Sequence, residues 1–342
     1  MTRYHDQFFN QATSQSQVKL RVYRTYLRPW AAKLGSNPQH RRLCVVDGFA
    51  GRGRYKDGTP GSPELAMQIA RDVAGEGRPY RIQCIFGETK PANQSVLRDL
   101  IGRYPQASAL LLEDDFWRRT NDVVELVAGD PALVFVDPFG LAGLDFARLV
   151  DMIQRLGKVD LIINLRTPAA VRLAPRLSER ISKAVGSTDW DLTTVSEVFR
   201  RNLSRACHFL PPAPLMISDR LAGRLHTELV LASRAADAYE LWNDEIVKEV
   251  ERLSADSALG ASQANRDLNI ELVAQRLAQW AGSRRTWTRA EAVEYYVVNY
   301  CGDAHTGTIR RAHDLLLRRG IHCLNPGAPV ESRRYANGVG GS

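Results

Sequence analysis

The sequence predicts an α/β fold, a parallel sheet with helices on both faces, followed by a smaller helix–turn–helix–strand–turn–strand module in the order of a winged helix. Three observations predict it. Short, continuous apolar runs recur through the first half of the chain with helical stretches between them, the pattern of a sheet buried on both faces. The 342 residues are 44% apolar, enough to bury a real core and to make two compact domains. A small, polar stretch at 254–262 separates the sheet region from the last part of the chain, where Thr288 caps one helix and Gly320 ends another. The expected division is an N-terminal helical extension at 1–40, the sheet domain at 41–255, the winged-helix-like module at 263–336 and a flexible tail at 337–342.

Each element has its own warrant. Leu20, Tyr23, Leu27 and Trp30 recur at spacings of three, four and three, so they share one face of a leading helix, with Lys19, Arg21, Arg24 and Arg28 around it. Gly35, Ser36, Asn37 and Pro38 stop that helix. Strands follow at 41–47, 81–86, 109–112, 132–136 and 161–165, with helices beginning at Pro63, Pro91, Asn121 and Asp145. The stretch 168–214 has helical periodicity without a motif, and 226–232 reads as a late strand that closes the sheet. Leu241, Trp242, Ile246, Val247 and Val250 lie on one helical face. Beyond the linker, helices at 289–300 and from Thr306 or Thr308 through Arg319 precede a strand at 321–324 and a turn at Asn325-Pro326-Gly327.

Charge is uneven along the chain. The 46 basic and 38 acidic side chains give +8 overall, of which residues 1–42 contribute +7 and residues 284–334 contribute +4, leaving −3 between them. Basic flanks suit a polyanionic partner, because each neutralised phosphate releases counterions; a solvated surface is the plainer alternative. The polar start and the short apolar runs give neither a signal peptide nor a membrane span. Cys44, Cys84, Cys207, Cys301 and Cys323 are scattered, with no Cys-x-x-Cys pair, so free thiols in a cytoplasmic protein and no metal site are expected.

Ligands of such sheets sit at the carboxyl ends of the strands, so the residues just after each strand carry the chemistry. The first strand ends Asp47-Gly48-Phe49-Ala50-Gly51-Arg52-Gly53-Arg54-Tyr55, an acid and a glycine-rich loop that lets backbone approach an adenosyl ligand. No Gly-Lys-Ser or Gly-Lys-Thr follows, which disfavours a phosphate loop. Glu88 directly follows the second strand, where a carboxylate can accept from both ribose hydroxyls. Asp114 or Asp115 could meet an adenine amino group beside Phe116 and Trp117, or could cap a helix. The fourth strand ends Asp137-Pro138-Phe139-Gly140, which places a carboxylate, loop carbonyls and an aromatic ring where an amine on an aromatic base could be held for group transfer. Arg310, Arg311, Arg318 and Arg319 line one helix of the last module and Arg333 and Arg334 follow its turn, a candidate nucleic-acid surface together with Arg52 and Arg54.

The run Asp47-Gly48-Phe49-Ala50-Gly51-x-Gly53-Arg54-Tyr55, with Asp57-Gly58 and Gly61-Ser62-Pro63, resembles the three-Cys-motif partner protein family. Tyr26-Leu27-x-x-Trp30, Glu88, Asp137-Pro138-Phe139-Gly140 and the tail fall in that family's order. The resemblance implies a Rossmann-like, class I S-adenosylmethionine-dependent methyltransferase domain fused to a winged helix, encoded beside a partner with a three-cysteine, radical-enzyme-like cluster motif. The residues and the resemblance together lead to expected cofactor contacts at Asp47, Gly48, Phe49, Ala50, Gly51, Gly53 and Glu88, with Asp114 or Asp115, read from the residues alone, near the adenine. Asp-Pro-Phe-Gly is also similar to the fourth motif of transfer RNA guanine-N2 methyltransferases, which implies an exocyclic base amine as acceptor. Two departures stand out: Arg52 replaces a usual proline, and Gly87 precedes Glu88 where a larger residue is usual.

Overall fold

The computed structural model describes residues 13–138, 140–165, 178–191, 193–219, 224–256, 259–261, 270–328, 330 and 333–337. Phe139 and residues 338–342 of the tail expected at 337–342 lie outside the described residues, while Asn337, the first residue of that expected tail, ends a strand paired with Ile321. The chain divides into two compact units, 1–234 and 235–342.

In the first unit, helix α1 (Ser14–Gly35) is capped by Thr13, whose hydroxyl accepts the Ser16 N–H at 3.2 Å. Leu20, Tyr23, Leu27 and Trp30 are all buried, as their spacing predicts. Then β1 (Arg42–Asp47), α2 (Ser62–Gly75), β2 (Arg81–Gly87), α3 (Pro91–Gly102), β3 (Ser108–Leu112), α4 (Thr120–Val127), β4 (Ala132–Val136), α5 (Phe146–Leu156) and β5 (Val159–Leu165) alternate. Pro63 and Pro91 stand in the first turns of α2 and α3, where the proline's missing N–H is one the helix could not have used. After α6 (Val195–Cys207) come β6 (Ala213–Asp219) and β7 (Arg224–Ala232).

The strand order in this unit is β3-β2-β1-β4-β5-β7-β6. Strands β1 to β5 pair in parallel, and β7 runs antiparallel to both β5 and β6. This is the expected Rossmann-like sheet, with its winding reversed between β1 and β4, the place where sheets of this kind bind ligands at the carboxyl ends of their strands. The stretch 168–214 is not helical to its end, because β6 begins at Ala213. A strand forms where a neighbour can take up its backbone groups, and β7 does so from Ala213↔Leu231 to Asp219↔Arg224.

The second unit holds α7 (Ala236–Asp256), α8 (Ile270–Gly282), β8 (Trp287–Thr288), α9 (Arg289–Asn299), α10 (Thr306–Leu317), β9 (Ile321–Cys323) and β10 (Arg334–Asn337), with an antiparallel sheet in the order β9-β10-β8. Thr288 and Glu291 form a reciprocal capping box on α9. The units meet at 234/235 and not in the 254–262 linker: α7, expected in the sheet domain, belongs to the second unit. Its Asn243 is fully buried, donates to the Ala304 carbonyl at 2.8 Å and accepts the Gly302 N–H at 2.8 Å, while Asp244 accepts the Thr306 N–H at 2.7 Å. Such polar anchoring leaves no mark in apolar periodicity.

His313 of α10 is fully buried, and neither ring nitrogen has a hydrogen-bond partner among the described residues; its ring meets Tyr335 edge-on at 4.7 Å. Burial pushes its pKa down to about 4, with Arg289 lowering it further and Asp314 opposing. The fold therefore holds the imidazole neutral while the unfolded chain protonates near its ordinary value, so stability is complete above about pH 6.5 and declines as the pH falls towards 4. The expected loss across that window is about 3 kcal/mol. Thermal unfolding at pH 7 and pH 5 checks it: His313→Leu should lose less stability on acidification than the wild type, and equal losses would contradict it.

Candidate functional site

Strand β1 delivers Asp47, fully buried, to the head of the glycine loop. One carboxylate oxygen, Oδ1, accepts the Phe49 N–H at 3.0 Å, and the other, Oδ2, is buried with no hydrogen-bond partner among the described residues. Burial pushes this carboxyl up to about 7; the Ser62 hydroxyl and the Phe49 amide pull the other way, Asp137 adds to the rise and Lys19 opposes it. The ends of β1 and β2 approach closely here. A Cβ on Gly48 would stand 2.7 Å from the Phe116 ring, and one on Gly87 would stand 3.0 Å from the Gly48 carbonyl oxygen. That crowding favours glycine at both positions. The Ala50 N–H donates to the Gly87 carbonyl at 2.9 Å, and Gly53 turns the chain at φ +74° against Leu97 and Leu100.

The two loop arginines, expected on the nucleic-acid surface, tie the loop to its neighbours. The Arg54 guanidinium forks onto Glu64, which is fully buried in the first turn of α2 and also accepts the Tyr104 hydroxyl at 2.7 Å. Arg52 donates to Asn93 at 2.9 Å. Arginine suits such forked pairing because its donors are fixed in one plane.

Glu88 is nearly buried at the end of β2; its Oε1 accepts the Lys90 N–H at 2.7 Å, which leaves Oε2 without a partner among the described residues. The Asp114 carboxylate accepts the Asp115 N–H at 2.6 Å, and Asp115 caps the turn Phe116–Arg118 by accepting the Trp117 N–H at 2.9 Å. The capping alternative thus describes what Asp115 does within the chain. Phe49, Phe116 and Trp117 pack as a cluster with ring centroids 5.1–5.9 Å apart.

Asp137 follows β4 with both oxygens engaged: Asn164 of β5 donates to Oδ1 at 2.6 Å, and Lys19 of α1 is ion-paired with Oδ2. Pro138 is buried and Gly140 half-buried beside it, its φ of 162° being ordinary extended backbone. Lys19 is only 5% exposed and has no other partner among the described residues, and Tyr23 one turn on has a buried hydroxyl with none. Sequence reasoning missed this contribution. In the sequence Lys19 reads as one of the charges of the basic N-terminal flank, and only its position one residue before the apolar face points inward. Glu228, in register with Leu165 at the carboxyl end of β5, is a second omission; burial raises its carboxyl, while Ser196 donates to it and Arg200 lies 3.1 Å away.

The cluster therefore comprises Asp47, Glu88, Asp137, Asn164 and Lys19 around the carboxyl ends of β1, β2, β4 and β5. An adenosyl cofactor with a cationic amino-acid arm fits these donors and acceptors: the partnerless Oδ2 of Asp47 can accept from an ammonium and Glu88 Oε2 from a ribose hydroxyl. In the second unit Arg310 pairs with Glu240, Arg311 donates to Thr308, Arg333 donates to the Ala328 carbonyl at 3.0 Å and Arg334 is exposed on β10. No group of His, Cys, Asp and Glu able to hold a metal occurs among the described residues, and none of their helices is long and apolar enough to cross a membrane.

The sequence matches no family model and no curated protein. Among solved structures, the chain is similar to a fibrillarin/Nop5p complex at 11% identity over 57% of this chain and 73% of that one, with a TM-score of 0.34. It is similar to a precorrin-6y C5,15-methyltransferase from Geobacter metallireducens at 12% identity over 60% of this chain and 87% of that one, TM-score 0.34. It is also similar to an rRNA methylase from Streptococcus thermophilus at 11% identity over 60% of this chain and 93% of that one, TM-score 0.32.

Proposed function

We propose that this protein is an S-adenosylmethionine-dependent methyltransferase acting on an exocyclic amine of a nucleic-acid base, and that it works with a three-cysteine, radical-enzyme-like partner in the cytoplasm. The observation that carries the reading is Asp47, a fully buried carboxylate with one partnerless oxygen beneath a glycine loop at the point where the sheet's winding reverses. When bound, S-adenosylmethionine supplies an electrophilic methyl group on a sulfonium sulfur. Asp47 and Glu88 hold its polar ends, and Asp137 orients the acceptor amine. Each carboxylate oxygen can accept two hydrogen bonds, so Asp137 can take the amine N–H while keeping Asn164 and Lys19. The helix–strand–helix–helix–strand–strand order of 270–337 supports a winged helix, a module that places one helix against nucleic acid. The partner and the base amine rest on the sequence resemblance.

Calorimetry tests the cofactor. S-adenosylmethionine and S-adenosylhomocysteine should bind with micromolar affinity, about −8 kcal/mol. Glu88→Gln, which keeps an oxygen for the Lys90 N–H, should weaken both by about tenfold to a hundredfold through loss of a charge-assisted bond of roughly 1.5–3 kcal/mol. No heat with either ligand would defeat the reading. The Lys19–Asp137 pair favours one alternative, a noncatalytic cofactor- or nucleic-acid-binding specificity subunit of the partner, because a carboxylate already neutralised by a buried ammonium can serve structure alone.

A further inference from the structure

We propose that a second site, a cleft of about 490 Å³ between the Phe116–Arg118 turn and the start of α5, binds a backbone phosphate of the polynucleotide acceptor. The inference rests on the methyltransferase reading above. The cleft lies on the carboxyl edge of the sheet, since its wall joins the segment after β3 to the segment after β4: the Trp117 indole N–H donates to the Gly143 carbonyl at 2.8 Å. Trp117 in turn packs 5.9 Å from Phe49 of the glycine loop. One aromatic layer thus separates the cleft from the cofactor loop.

Arg118, Arg148, Arg180 and Lys183 line the cleft against two carboxylates, Asp115 and Asp145. Both acids are committed to the fold. Asp115 caps its turn, and Asp145 caps α5 by accepting the Arg148 N–H at 3.2 Å while its other oxygen pairs with Lys183 at 3.0 Å. Arg148 is held as well, donating to the Trp117 carbonyl. Arg118 and Arg180 are exposed, and neither guanidinium makes a hydrogen bond or ion pair among the described residues. The cleft therefore carries an excess of two positive charges, with two guanidinium groups free to fork onto phosphate oxygens. A phosphate bound there stands apart from the reacting centre. A polymer can occupy the two places at once, with a base at Asp137 and its backbone in the cleft, and this is what selects a polynucleotide over a free phosphate.

The test compares the full chain with Arg118→Ala/Arg180→Ala, using fluorescence anisotropy of a labelled single-stranded 20-nucleotide RNA over a series of salt concentrations. The double variant should bind about tenfold more weakly, and its logarithmic salt slope should shrink by about 0.7, the release for one phosphate of a single strand. Melting temperature and S-adenosylhomocysteine binding should not change, because both arginines are exposed and lie across the aromatic layer. An unchanged affinity and slope would overturn the proposal even if the cofactor binds. If the wild type ignores RNA but binds inorganic pyrophosphate, and the double variant does not, the cleft serves a small phosphorylated molecule and the polynucleotide assignment is overturned. If RNA binds through the cleft and neither cofactor form binds, the cleft stands and the methyltransferase reading falls.

Discussion

Replacing Lys19 by Met is expected to destabilise the first unit by about 3–5 kcal/mol, the usual consequence of removing one partner from a buried ion pair. The side chains of Lys19 and Asp137 are 5% and 15% exposed, and Asp47, whose carboxyl burial already raises, is near enough to feel both charges. Without the ammonium, two carboxylates share one poorly solvated pocket. For a unit of this size the melting temperature should fall by on the order of 10 °C. Removing both charges is a different matter: Lys19→Met/Asp137→Asn should recover most of the loss, because the desolvation penalty of the pair disappears with it. Thermal unfolding of the three proteins measures the effect, and a single variant that melts with the wild type would show that the pair contributes nothing.

Asp137→Asn should lower single-turnover methyl transfer by roughly a hundredfold to ten-thousandfold, the range for losing one positioned electrostatic or acid–base group. In the proposed reaction the bound cofactor would supply the methyl group and keep the sulfur's electron pair, and Asp137 would face the positive charge growing on the acceptor nitrogen. A carboxylate stabilises that charge more in the transition state than in the ground state. Cofactor affinity should stay within about threefold, because Asp47 and Glu88 are untouched. The pairing of this variant with the double variant separates roles: stability recovered without transfer marks Asp137 as a participant in the reaction. Equal rates in wild type and Asp137→Asn would remove the acceptor site from this place, and transfer by neither protein would favour the noncatalytic alternative.

Much of the framework was legible because it is local. The starts of α2 and α3 follow from Pro63 and Pro91, and the cap of α9 from Thr288 and Glu291 three residues apart. The five parallel strands follow from apolar runs that need no partner to be recognised, and Asp47, Glu88 and Asp137 from the rule that such sheets bind ligands beyond their carboxyl ends. The roles of the arginines were not legible. A guanidinium reads as surface charge until its carboxylate is found, and Arg54 and Arg310 find theirs at Glu64 and Glu240.

By itself, then, the chain determined the alternation of strands and helices and the three acids at the carboxyl ends of β1, β2 and β4, since each depends on a few neighbouring residues and on hydrogen bonds closed nearby. Only the tertiary structure decided that β7 enters the sheet reversed, between β5 and β6, that α7 joins the second unit, and that Lys19 meets Asp137 across 118 residues of sequence. The physical reason is common to all three. Pairing of backbone edges, burial of an amide such as Asn243 and neutralisation of a buried carboxylate are satisfied by whichever group folding brings within about 3 Å, and sequence spacing does not record that group.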